Sequence, residues 1–242
     1  MKVLSGIMFT NVNKIEFIKH KKGFTLAEVL VTLVVIGVVA ALCIPALIQN
    51  TQQAEFKAAW KKDYSVLSQA VLMAQNDNAG DLNSYLNGTS ALCPLLSNYL
   101  STTKVCPAVG DTISACFSNP INELNGTHVG GTGDLFSAYR FDDGGMMLAN
   151  GATLAFENGG GADSYNGVYY AYIWVDVNGN APPNTIGKDI FGMIILRNSV
   201  IPMGTTTAQF PQASDFITLQ NEACTPGTTT GMACSTFYLL NN

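Results

Sequence analysis

Lys21-Lys22-Gly23-Phe24-Thr25-Leu26-Ala27-Glu28 opens an apolar run that continues from Val29 to Ile48. After Glu28 no charged side chain occurs before Glu55, and Val, Leu, Ile and Ala fill most of the interval. A helix from Phe24 to Ile48 is therefore long and apolar enough to cross a bilayer. Lys2, Lys14, Lys19, Lys21 and Lys22 all precede it. Positive charge is retained on the cytoplasmic side, so the reading keeps residues 1–23 inside and sends the following domain out. Lys57, Lys61 and Lys62 weaken that asymmetry without reversing it. A conventional secretory signal is cut after its apolar region. Here the small residue, Gly23, stands before it, so the helix would be kept.

Glu28 is the misfit. A lone carboxylate in hydrocarbon costs several kcal/mol or is driven to protonate, so it needs a partner. A cut between Gly23 and Phe24 would create a cationic amine four residues before Glu28, roughly 6 Å along a helix axis. That amine, or the same amine of a neighbouring copy, is the nearest counter-charge.

The basic flank, the small residue, the aromatic residue after it, the acid four positions on and the long apolar helix with Pro45 together resemble the prepilin signal. That signal marks type IV pilins and type II secretion pseudopilins. The resemblance implies that a prepilin peptidase cuts after Gly23 and methylates the new amine of Phe24, and that Glu28 pairs between subunits. It also implies that the helix near Gly37 and Pro45 loosens when subunits leave the bilayer. Independently of any family, Pro45 lacks a backbone donor and crowds the carbonyl of Ala41, so a kink or local melting is expected, whether inert or functional. The implied partners are the peptidase, other pilin or pseudopilin subunits, an inner-membrane assembly platform and the membrane itself.

With 242 residues, 48% hydrophobic and 12% charged, the chain suits one globular domain plus an anchor. Its formal charge is −5, and removing residues 1–23 takes five lysines and one glutamate with it, making the remainder more acidic. Phosphate contacts need clustered Lys and Arg, so a nucleic-acid partner is not expected. Of six cysteines, Cys43 lies in the apolar run and reads as a small packing residue. The other five lie in the exported part, where disulfides persist. Spacing favours Cys224 with Cys234, and Cys106 with either Cys116 or Cys93. The tail also resembles the disulfide-closed loop near the end of many pilins.

Beyond the span, Phe56, Trp60, Tyr64, Leu67, Val71 and Ala74 recur at steps of three and four, with Lys57, Lys61, Lys62 and Asp63 mostly between them. One helix from Phe24 to about Gln75 would be roughly 78 Å long. The domains therefore read as a leader at 1–23, a transmembrane half-helix at 24–48, an amphipathic half-helix at 49–76 and a globular part at 77–242. Within the last, Asp81 to Pro120 reads as a connection with short helices, including Leu92 to Leu100, and the glycine-rich stretch from Gly126 to Gly133 as a surface loop. Phe136–Phe141, Met146–Leu148, Thr153–Glu157, Val168–Val177 and Ile190–Arg197 read as strands. Asp143-Gly144 and Asn150-Gly151 are hairpin signals, and Gly204 to Gly231 reads as loop. The expected fold is α+β: a long N-terminal helix packed on a small antiparallel sheet.

Val175-Asp176-Val177-Asn178-Gly179-Asn180, followed by Gly187-Lys188-Asp189, is the sharpest site outside the signal. Alternating oxygens at Asp176, Asn178 and Asn180 in a glycine-containing loop, with Asp189 folding back, suit calcium. The stretch departs from an EF-hand because Gly187 stands where the twelfth-position glutamate belongs. It is similar to the calcium loop of some secretion pseudopilins. The plain alternative is a pair of Asx turns joining two strands.

Catalysis finds little support, since only His20 and His128 exist and neither has a nucleophile motif beside it. Asp142-Asp143 reads as turn chemistry. Tyr170 and Tyr172 point to one side of a strand and Tyr169 to the other, so one set should be core and the other surface. The expected function is a pilin-like structural subunit of a type IV pilus or secretion pseudopilus, in the bacterial inner membrane and then in a filament. The alternative is a scarce tip subunit that binds a surface or cargo.

Overall fold

The computed structural model describes residues 23–87, 90–108, 113–130, 138–158, 164–165, 168–205, 224–225, 227 and 229–240. The leader up to Lys22, and most of the stretch from Gly204 to Gly231, lie outside the described residues. The chain divides into two units, Met1–Leu47 and Ile48–Asn242. Helix α1, Leu26–Asp77, begins in the first and ends in the second. It is helical through Pro45, so the expected melting is not present here. It stops where Ala79 and Gly80 take positive φ and the Gly80 amide closes on the Gln75 carbonyl at 2.7 Å.

In the first unit, the apolar side chains from Phe24 onward are exposed, apart from the half-buried Ala40.

In the second unit, two short helices follow, α2 (Asn83–Leu86) and α3 (Leu92–Ser97). The strands are β1 (Thr102–Cys106), β2 (Gly145–Leu148), β3 (Thr153–Asn158), β4 (Ser164–Tyr165), β5 (Val168–Asp176), β6 (Ile190–Leu196) and β7 (Val200–Pro202). Helix α4, Cys234–Leu240, closes the described chain. The main sheet runs β1-β2-β3-β5-β6-β7, every pair antiparallel, with β4 paired separately to β5. The fold is the expected α+β arrangement of long helix and antiparallel sheet.

Alternation along the strands builds two cores. One face, with Leu154, Phe156, Ala171, Ile173, Val175, Phe191 and Met193, meets Trp60, Leu67, Val71 and Ala74 of α1. The opposite face, with Ala155, Tyr170, Tyr172, Trp174 and Ile194, is covered by Phe117, Phe141, Met203 and Met232. Both faces are therefore sealed. Tyr170 and Tyr172 are core on one side, while Tyr169 packs half-buried on the other rather than standing in solvent.

Four expectations need correction. Ala138–Phe141 is a 3₁₀ turn, not a strand, because the Phe141 ring stacks between Phe117 and Trp174 while its carbonyl accepts the Ser114 amide. Asp143-Gly144 leads from that turn into β2 instead of joining two strands; Asn150-Gly151 does join β2 to β3. Thr102–Cys106, read as connection, is an edge strand, with exposed Lys104 on it. Asp63, assigned to the polar face of α1, is 2% exposed. It lies three residues after Trp60 and four before Leu67, hence on the packed face, and accepts a 2.7 Å bond from the Asn150 amide. Burial pushes its carboxyl up. That bond pins the β2–β3 turn to the helix.

Candidate functional site

Two places hold the residues singled out in the sequence. At the start of α1, Thr25 and Glu28 close on each other. The Glu28 amide donates to Thr25 Oγ1 at 3.2 Å, and Glu28 Oε2 accepts from both the Thr25 amide and its hydroxyl at 2.8 Å. This is a capping box, in which a Thr and the Glu three residues on satisfy each other's orphan donors. The Thr-x-x-Glu spacing before an apolar run signals it directly. Phe24 is 88% exposed, and Gly23 has nothing within 4 Å of where a Cβ would stand. The expected cut point is thus exposed, and the acid is held at the helix's first turn.

The loop between β5 and β6 is the second place. Asp176 ends β5 and Asp189 precedes β6, and both are fully buried. The Ser118 hydroxyl, from a segment distant in sequence, donates to Asp176 Oδ2. The Asn178 amide donates to Asp176 Oδ1 at 3.2 Å. Asp189 accepts the Asn184 amide at 2.8 Å on one oxygen and the Thr185 amide at 2.7 Å on the other. Burial, with the Asp189 charge alongside, pushes the Asp176 carboxyl up to about 8, and burial raises Asp189 as well. Asn180 is exposed, and its side-chain oxygen lies 3.3 Å from the same Ser118 hydroxyl that serves Asp176.

Among the described residues, the side-chain oxygens of Asn178 and Asn184 are buried and accept no hydrogen bond. Two buried carboxylates with no ion-paired cation and two unused amide oxygens fit a hard cation such as calcium. Asp176, Asn178 and Asp189 were singled out by the sequence, and Asn184 adds a further buried oxygen in the same loop.

This loop is joined to the chain's end. A Cβ on Gly187 would meet Cys234 Sγ at 2.8 Å, and one on Gly231 would run into the Ile186 carbonyl. Disulfides link Cys224 to Cys234 and Cys106 to Cys116, leaving Cys93 a buried thiol pushed up to about 12 by desolvation. Cys43 is unbridged and exposed on the apolar half of α1. A further acidic group, Asp142, Asp143 and Glu157, lies together near β2. Asp143 serves local structure there, accepting the Ser90 hydroxyl and the Asn158 amide at 2.8 Å each.

No curated protein and no solved structure matches this chain. Residues 18–44 do match a family model, the prokaryotic N-terminal methylation motif. That span contains Gly23 and Phe24, the capped acid and most of the exposed apolar run. The chain thus carries the N-terminal methylation motif that is the signal of type IV pilins and pseudopilins.

Proposed function

We propose that this chain is a structural subunit of a type IV pilus or type II secretion pseudopilus, inserted in the bacterial inner membrane with its domain outside the cytoplasm. Prepilin peptidase removes residues 1–23 and methylates the Phe24 amine. The subunit is then drawn into a filament by its assembly platform. The observation that carries this reading is the run from Phe24 to Ile48, mostly apolar and exposed at all but Ala40, in a chain whose sheet is sealed on both faces. Such a surface needs lipid first and neighbouring helices afterwards. Glu28 sets the axial register by finding a terminal amine, and the region around Pro45 is where the helix yields as lipid contacts are exchanged.

Shearing filaments from cells tests the reading. The account expects the chain in the filament fraction, and expects it to remain unprocessed in the membrane of cells that lack the peptidase. Equal recovery in filaments from both strains contradicts it. Abundance in that fraction separates a repeating subunit from a scarce tip subunit.

We further propose that Asp176, Asn178, Asn184 and Asp189 hold calcium. Its charge offsets that of the two carboxylates, which otherwise repel in a buried site. Asp189, already bonded to two backbone amides, keeps the loop closed, and Ser118 orients Asp176.

A further inference from the structure

A groove of about 490 Å³ lies between α1 and the loop before β6. Gln49, Gln52, Gln53 and Phe56 form one wall at helical steps of three and four, and Pro182, Pro183 and Lys188 form the other. Its position along the chain is informative. Gln49 directly follows Ile48, where the apolar run ends, and the backbone is helical across that point. At about 1.5 Å of rise per residue, Gln49 to Gln53 lie within roughly two helical turns of the end of the hydrocarbon-compatible stretch. Lipid headgroups occupy that depth.

The lining matches a headgroup in charge as well. The seven lining residues include a cation and three glutamine amides but no carboxylate. Lys188 is exposed and, among the described residues, makes no ion pair. The adjacent Asp189 does not neutralise it by contact, since its carboxylate is buried against the Asn184 and Thr185 amides. A second ammonium lies close by: Gln53 donates to the Tyr238 hydroxyl at 3.2 Å, and Lys57 Nζ sits 4.2 Å from the centre of the Tyr238 ring. Phe56, Pro182 and Pro183 add an apolar wall suited to a glycerol backbone and the first acyl carbons. We propose that this groove seats the phosphate headgroup of an anionic phospholipid, fixing the base of the domain against the leaflet. The proposal rests on the reading of residues 24–48 as a membrane span.

Reconstituting the full chain into nanodiscs of phosphatidylcholine mixed with phosphatidylglycerol, then measuring co-released lipids by native mass spectrometry, tests it. One ammonium near anionic lipid corresponds to a preference of about fivefold. Retained phosphatidylglycerol should exceed its bulk share by that factor, fall to the bulk share in Lys188→Glu, fall partway in Lys188→Gln, and be unchanged in Lys104→Glu on the edge strand. Circular dichroism confirms that each variant is folded. No enrichment in the parent chain, or equal enrichment in Lys188→Glu, overturns the proposal. So does displacement by glycerol phosphate at matched concentration, which would mark a site for a free anion, or cross-linking of Lys188 between copies, which would mark a subunit contact. A chain that fails to enter nanodiscs contradicts the span itself, whereas one that enters without lipid preference contradicts only the groove.

Discussion

Glu28→Ala is expected to insert and be cleaved normally yet to be missing from filaments. Alanine removes an acid that costs on the order of 3 kcal/mol in the apolar segment, so insertion has nothing to lose. What disappears is the only ionic handle on an apolar surface whose other contacts can slide past one another in many registers. Glu28→Gln separates charge from hydrogen bonding. It keeps a side-chain oxygen for Thr25, with which Glu28 bonds at 2.8 Å, but offers no charge to an amine. It too should be excluded. Thr25→Ala removes only the cap, worth about 1 kcal/mol, and should assemble at a reduced level. Immunoblots of sheared filaments and of membranes, run side by side, read all three. Normal filament levels of Glu28→Ala would show that register is set elsewhere.

The second large effect belongs to Asp176. Its carboxyl stands well above the ordinary aspartate value, at about 8, because it is desolvated and faces Asp189. Between the unfolded value near 4 and the folded value near 8, the native state holds a proton that the unfolded chain has lost. Stability of the calcium-free protein therefore falls as pH rises through that window, by an amount on the order of a few kcal/mol, and levels off above it. Calcium should reverse the trend, since it replaces the proton and binds best where the carboxylates are ionised. Thermal melts in chelator at pH 5 and pH 8, repeated with added calcium, check this. Asp176→Asn should flatten the pH dependence, raise stability at pH 8 in chelator and abolish the calcium response. Asp189→Asn should destabilise at every pH, because both of its oxygens accept backbone amides. A calcium-free protein that gains stability toward pH 8 contradicts this picture.

The elements read correctly from sequence are those whose signals are local. The apolar run, the three- and four-residue stripe from Trp60 to Ala74 and the β-branched segments of β3, β5 and β6 each announce themselves within a few residues. Strand β1 was missed because five residues of Thr, Lys, Val and Cys gain their meaning from β2, some 40 residues on. Asp63 lies at helical spacing from Trp60 and Leu67, so its face was legible, but the Asn150 amide that partners its carboxylate lies 87 positions away. The oxygen-rich loop was legible as a loop between two strands, but the partners of its side chains were not. Ser118 reaches Asp176 across 58 positions, and backbone geometry leaves Asn180 with Ser118 while Asn184 offers a buried oxygen. Thr25 was readable all along, since its role follows from the residue three places later.

All of this depends on whether Phe24 becomes an amino terminus. The intact mass of the protein purified from its own cell membranes decides that most directly. The account predicts a chain lacking residues 1–23 and carrying one added methyl group; a chain that still begins at Met1 contradicts it.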